Sequence, residues 1–432
     1  MALGGGPAFA SLPADPAAAA APSRGGGRPA LRHGSAREAG LLPGPLRQLV
    51  TDAEAFLQPS PEHPWYAGAV LLAGRGRTVA LHRPLGMAVR YQAYDEETDT
   101  GVELPTDQQI PMAEDTVFDL ASVSKLFTSI LAVQQIERGR VGLEAPVASY
   151  LPDFGRAGKQ DVTIRQLLTH TSGFRAWIPL YEAPTYQEKV RRVYDEELAS
   201  PPGTAYLYSG LNLISLQLVL EHVTGRRLDV LLREEITEPL GMRRTRYNPP
   251  ASWKPKIAAT EDARKPWSGL DRGLVWGEVH DENAYSLGGV AGHAGVFSDA
   301  WDLAVLARTL LDGGGCGRRR IPRPESVELM CRGGRCPWSA RGPPAPTGTR
   351  GGRPPGGRAT RRAPARPPPC RRIRRGPAAG TGRRSAVCRP PCPAPPPSWS
   401  VRPPPVSSSM ATTRPSSYGA GGGGDGVGRW VS

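Results

Sequence analysis

The sequence predicts an α+β fold. Three observations carry it: a hairpin signal near the start, a series of strongly periodic helices after it, and their order along the chain, strands first and helices later. The hairpin is "YAGAVLLAGRGRTVALHRPLGMAVRY", residues 66–91, two β-rich runs around the turn signal Gly74 to Arg77. The first helix is "ASVSKLFTSILAVQQIERG", residues 121–139, in which Leu126, Phe127, Ile130, Leu131 and Ile136 recur at helical spacing and Gly139 ends the pattern. Further on, Thr163 in "DVTIRQLLTHTSGF" is placed to cap a short helix that stops at the turn His170 to Gly173. Residues 174–203 read as a polar loop. Next come "GLNLISLQLVLEHVTG", residues 210–225, closed by Gly225, and "RLDVLLREEITEPLGM", ending at Gly241. The last elements are a helix carrying Trp301 and Leu303, capped by Ser298 or Asp299, and "PESVELM".

Composition divides the chain of 432 residues unevenly. Residues 331–432 hold 19 arginines, no lysine, no glutamate and one acidic residue, Asp425, so a formal +18 sits there and the rest is near −4. That segment also holds five of the six cysteines and 21 of the 47 prolines, and it has no apolar periodicity. Such a composition predicts disorder. Its arginine without lysine, and its abrupt start after Met330, fit a GC-rich coding region translated in a wrong frame. The basic pI therefore says little about partners, and the segment lacks the aromatic interleaving of a nucleic-acid platform, so no nucleic acid is expected. Cys331 and Cys336 have no second spaced Cys or His pair, so no metal is expected. No cofactor motif is present either, and the oligomeric state is not legible. Residues 1–45 form a low-complexity segment that lacks a basic leader region but resembles the latter half of an export signal. Export is therefore expected, or a cytoplasmic location if Met1 is the true start. With no run of 18 apolar residues, no membrane span is predicted. The expected organisation is 1–45, a core domain over 46–330, and the tail 331–432.

Within the first helix, "FDLASVSKLF" places Ser122 and Lys125 three positions apart, on one helix face, at the head of an uncharged segment from Leu126 to Ile136. An ammonium in that environment costs several kcal/mol unless it is paired or loses its proton. A neutral lysine beside a serine is a nucleophile with its base. Ser-x-x-Lys is a short pattern, so its context must select it.

That context resembles the serine β-lactamase and penicillin-binding-protein superfamily, in the class C β-lactamase-related branch with its esterases and D-alanyl-D-alanine peptidases. "FDLASVSKLFTSI" looks like the nucleophile helix, "LLTHTSGF" like the turn that follows, and "PPGTAYLYSGLNLISLQLVLEHVTG" like the segment of the tyrosine motif. "GGVAGHAGVFSDAWDLAVLA" looks like a later loop and helix. The resemblance implies a β-lactamase/transpeptidase-like fold: an antiparallel sheet flanked by helices, plus an all-helical subdomain. It implies a serine hydrolase acting through an acyl-enzyme on a β-lactam, a cell-wall peptide of the D-Ala-D-Ala type or an ester. Ser122 would be the nucleophile, Lys125 its base, and Tyr208 a proton relay whose anion the lysine stabilises. The backbone N–H of Ser122 would supply half of an oxyanion hole.

Two departures stand out. Where the tyrosine motif often ends in Asn, this chain has Gly210, with Asn212 two further; Asn212 either contacts the substrate amide or solvates the helix start. The Lys-Thr-Gly or His-Thr-Gly triplet falls near residue 370, where "PARPPPCRRIRR" offers no triplet and no strand. The C-terminal strands then look missing, leaving the hairpin with unpaired edges. "HAG", His293 to Gly295, mimics the triplet but lies early; it is a structural loop or a substrate contact. His280 and Glu282 line the same cleft or belong to a loop network. The alternative to a working hydrolase is a catalytically inactive family member with a scrambled C-terminus.

Overall fold

The computed structural model describes residues 31–58, 64–98, 100–265, 268–316 and 319–331. The arginine-rich segment after Cys331, and with it the expected triplet and terminal strands, lies outside the described residues, as does 1–30. Three strands and one helix open the chain: β1 (Arg32–His33), α1 (Pro43–Ala55), β2 (Gly68–Arg75) and β3 (Thr78–Val89). β2 and β3 form the expected antiparallel hairpin, with Ala69 opposite Leu85 and Arg75 opposite Thr78. Gly76 in its turn has φ +63, a left-handed conformation that only glycine adopts freely. β1 adds a parallel strand on the far side of β3, so the sheet is mixed, and both β1 and the start of α1 fall inside residues 1–45. Next come β4 (Tyr91–Asp95), β5 (Thr100–Glu103), β6 (Ile110–Pro111), which pairs with the end of β3, and β7 (Phe118–Asp119).

The helical part follows. It comprises α2 (Ser124–Glu137), α3 (Ile164–Leu168), α4 (Tyr186–Asp195), α5 (Gly210–Thr224), α6 (Leu228–Leu232) and α7 (Glu238–Leu240), with one π-turn joining the last two. α2 packs on α5 and α6, and the contact buries Phe127, Ile130, Leu131, Leu213, Leu216, Leu220 and Leu231 almost completely. Each such side chain contributes roughly 1.5–3 kcal/mol. α5 is buried on nearly every side, which is why its sequence is apolar around the whole circumference. Thr163 and Gln166 form a reciprocal capping box on α3, as the sequence suggested.

Residues 174–203 are not a plain loop. α4 lies within them, started by a second capping box between Thr185 and Glu188 and anchored by buried Val193. Only one face of it is apolar, so the short amphipathic pattern "YQEKVRRVYD" reads as polar when taken alone.

The chain closes with β8 (Arg246–Tyr247), β9 (Glu261–Ala263), β10 (Gly273–Val275), α8 (Glu282–Ser286), β11 (Val296–Ser298), α9 (Ala300–Leu311), β12 (Gly315–Cys316), β13 (Arg319–Arg320) and α10 (Pro324–Cys331). Asp299, not Ser298, caps α9 by accepting from the Asp302 N–H. β11 stands between β7 and β8 in a small antiparallel sheet. This sheet matters most, because β7 leads straight into the Ser122 turn. Among the described residues β2 pairs only with β3, and α9 packs beside it. No described helix is long and apolar enough to cross a membrane.

Candidate active site

Ser122 sits in a single 3-10 turn, Ala121 to Val123, between β7 and α2. The turn is strained: Ala121 has φ +44, a left-handed value that costs a residue with a Cβ of order 1 kcal/mol or more. Its surroundings hold it there. The Ala121 N–H donates to Asp119 Oδ1 at 2.8 Å, and the Leu120 N–H donates to the Val296 carbonyl of β11 at 2.9 Å. Asp119 Oδ2 in turn accepts from the His280 N–H at 2.7 Å, which ties the loop before α8 to the turn. Burial pushes the Asp119 carboxyl up, against these two bonds.

One helical turn on, Lys125 is 6% exposed, with Nζ 2.8 Å from Ser122 Oγ and 2.9 Å from the carbonyl oxygen of His293. Burial lowers its pKa from 10.5 to about 8, and the negative charge of Asp281 opposes the fall. A neutral amine has two N–H groups and one lone pair. It can donate to the His293 carbonyl and take the Ser122 proton on the lone pair.

Tyr208 lies beside both, close enough for the Ser122 hydroxyl to lower its pKa against the effect of burial. Lys125 Nζ stands 4.8 Å from the centroid of its ring. Burial raises the Tyr208 pKa, so near neutrality the group is a phenol and not the anion that the lysine was expected to stabilise. A phenol can still donate or relay a proton.

His170 braces the tyrosine, and the sequence reading took it only for part of a turn. Its ring packs 4.6 Å from that of Tyr208, and Nδ1 receives the Ser209 N–H and the Asn212 amide, each at 3.1 Å. Two donors on one nitrogen fix the tautomer with its proton on Nε2. Burial, then the charge of Lys125, lowers the His170 pKa to about 4. The capped helix ending in "HTSG" was the signal that pointed to this residue.

The two substrate-contact candidates change role. Asn212 is fully buried and accepts from Ser172 Oγ while its amide meets His170, so it joins the two loops and reaches neither substrate nor the helix surface. His293 is 4% exposed; its Nε2 bonds to Asp281 Oδ1 at 2.8 Å, and it meets the site through its backbone carbonyl. His280 pairs with Glu261, and Glu282 accepts from Ser268 Oγ and the Gly269 N–H, so both belong to loop networks. Asp281, between them, is the residue that bears on the lysine. Although burial pushes its carboxyl up, the His293 ring and the Ala284 N–H hold it well below the usual carboxylate range. Among the described residues no group of three or more His, Cys, Asp or Glu side chains could hold a metal ion.

The family model described as Beta-lactamase matches residues 53–431, a span that runs on past Met330. A protein of Escherichia coli provisionally named D-alanyl-D-alanine carboxypeptidase is 32% identical over 295 residues, which cover 61% of this chain and 64% of that one. A protein of the same name from Salmonella agona is 32% identical over 292 residues, 62% of this chain and 65% of its own. The chain thus spans just under two thirds of the length of these relatives. Among solved structures, the octameric penicillin-binding protein homologue from Pyrococcus abyssi aligns with a TM-score of 0.49 at 20% identity, over 66% of this chain and 59% of that one.

Proposed function

Since the chain belongs to the Beta-lactamase family, we propose that it is a serine hydrolase that works through an acyl-enzyme on the carbonyl of a D-alanyl-D-alanine-type peptide. β-Lactams and esters are the other acyl donors of the same chemistry. One observation carries the reading: a buried lysine amine, with its pKa lowered to about 8, lies 2.8 Å from a serine hydroxyl on a strained turn. The names of the relatives at 32% identity support the peptide as substrate class. A cell-wall peptide as substrate would call for export of the protein, which is part of the same proposal.

The steps follow from the geometry. Ser122 Oγ attacks the carbonyl carbon as its proton passes to Lys125 Nζ. The negative charge that develops on the former carbonyl oxygen needs donors, and each preorganised donor is worth roughly 3 kcal/mol. On collapse the C–N or C–O bond breaks, and the leaving group takes a proton from Tyr208, whose hydroxyl is restored from Lys125. Water then attacks the ester of Ser122 by the same relay reversed, releasing the acid and the free serine.

Covalent labelling by a fluorescent penicillin, with the adduct mapped to Ser122, tests this; a Ser122→Ala protein labelled as fast as the wild type would overturn it. The second reading is an inactive family member, favoured by the arginine- and proline-rich sequence where the third motif is expected. Resequencing the gene across the codon of Met330 decides between them, because a one-base change that restores a His-Thr-Gly or Lys-Thr-Gly triplet near residue 370 removes the second reading.

A further inference from the structure

The lysine has two polar partners, and one of them is not a side chain. Where the His293 carbonyl stands decides where the amine stands. That carbonyl belongs to a loop with little stiffness of its own, since Gly292 and Gly295 flank His293 and its neighbour, Gly295 at φ +103. The loop is fixed from outside. The Gly292 carbonyl accepts from Thr128 Oγ1 on α2, and the Gly292 N–H donates to Gln217 Oε1 on α5. The Tyr247 hydroxyl donates to the Ala291 carbonyl and the Val296 N–H to Ser124 Oγ, and the tether on His293 itself is its ring, turned inward onto Asp281 at 2.8 Å.

The space for that ring exists because of a departure in the sequence. A Cβ added at Gly210 would lie 3.2 Å from His293 Cδ2, tighter than ordinary packing, and 3.6 Å from its Cγ. The imidazole thus packs tightly against the position from which a side chain at residue 210 would start. The glycine two residues after Tyr208 and the histidine behind Lys125 are two halves of one fit. Asp281 serves two ends at once: the same Oδ1 that receives His293 also receives the Ala284 N–H at 2.8 Å and so starts α8.

We propose that Asp281 and His293 are positioning residues for Lys125: the carboxylate anchors the imidazole, the imidazole fixes its own carbonyl, and the carbonyl sets the amine against Ser122, with Gly210 leaving room for the ring. The assignment predicts two separable effects. The charge of Asp281 faces the amine and favours its protonated form, whereas the His293 tether keeps the amine buried and favours its neutral form. The other titratable groups facing Lys125 are His170, on the loop after α3, and Tyr208, on the segment before α5. Both stay in place in the variants below.

The inference rests on the acyl-enzyme reading only for its consequence on rate; the position and titration of the lysine can be read without turnover. The chain contains six lysines, so the Lys125 side-chain nitrogen can be followed by NMR on full-length protein labelled with 15N-lysine and assigned by its loss in Lys125→Met. Wild type is expected to titrate near pH 8. Asp281→Asn keeps a good helix cap and an acceptor for His293, and is expected to titrate at lower pH. His293→Gly frees the carbonyl and is expected to titrate higher, towards an exposed lysine. Gly210→Ala pushes on the ring and should follow His293→Gly in direction, and adding it to His293→Gly should change nothing further. The penicillin-labelling rate of Ser122, measured over the same pH range, should move with each midpoint, several-fold faster below pH 7 in Asp281→Asn. Unchanged midpoints in Asp281→Asn and His293→Gly overturn the proposal. If the midpoints move while wild-type Ser122 is never labelled, the positioning stands and the hydrolase reading falls.

Discussion

Replacing Lys125 by Met tests the central physical claim, that the protein holds this amine at a cost in stability. Lowering the pKa from 10.5 to about 8 corresponds to about 3 kcal/mol of penalty on the charged form. Below pH 8 the ammonium is charged in the folded and the unfolded chain, so the full penalty is present. Between pH 8 and 10.5 the folded protein releases its proton while the unfolded chain retains it, and stability rises. Above 10.5 the amine is neutral in both states and the penalty is gone. Methionine has nearly the same length and no charge, but it leaves Ser122 and the His293 carbonyl without a partner, at about 1 kcal/mol each. At pH 7 the variant should therefore be more stable by about 1 kcal/mol, while Ser122 labelling is lost. The sharper readout is the difference between the two proteins in urea unfolding, measured from pH 7 to pH 10. It should reverse sign as the wild type gains. A difference that stays flat over that range would refute the reasoning, because the lysine would then not be held away from its charged form.

Four other outcomes follow from the same geometry. Tyr208→Phe keeps the ring against His170 and removes the hydroxyl beside Ser122, so penicillin labelling should slow by roughly 10²-fold or more with an unchanged melting curve. His170, held neutral with a pKa of about 4 against 6.5 when unfolded, makes stability fall as pH drops from 6.5 towards 4; His170→Gln should flatten that acid limb in urea titrations. Lys159 is fully buried and donates to the Tyr194 and Glu196 carbonyls at the end of α4, so Lys159→Met should lower stability by roughly 1–3 kcal/mol, read as a lower urea midpoint. Gly173 has φ +92, and a Cβ there would fall on the Ser200 carbonyl oxygen; Gly173→Ala should cost more than about 3 kcal/mol in the same assay.

The elements that could be read from the sequence are those whose own residues decide them. The hairpin, α2, α5 and the capping box of α3 each carry a local pattern of periodicity, turn glycine or paired cap. α4 was missed because its apolar stripe is narrow, although Thr185 and Glu188 repeat the capping signal that marked α3. β1 was missed because two residues cannot show a period, and their strand character comes entirely from pairing with β3. At the site, Ser122 and Lys125 were legible because both lie on one short segment. Asn212 is marked by its spacing from a motif and His293 by its likeness to one, and neither says which way a side chain turns. Both point into the protein.

The groups that determine the lysine's chemistry come from places distant in sequence and irregular in structure: Asp281 before α8, His293 before β11, His170 after α3 and Gly210 at the start of α5. None gives a periodic signal, and His170 sits at φ +54, where a local pattern would favour glycine or asparagine. Their common property is what they do to one charge. Burial drives the proton off Lys125, the anion of Asp281 limits the loss, and a neutral His170 adds no second cation beside it. A base with a pKa near 8 results from that opposition rather than from either influence alone, which puts it close to the pH at which it would work. Removing the anion or the tether should therefore shift the amine in opposite directions, and a site assembled merely for packing would show no such pair of opposed responses.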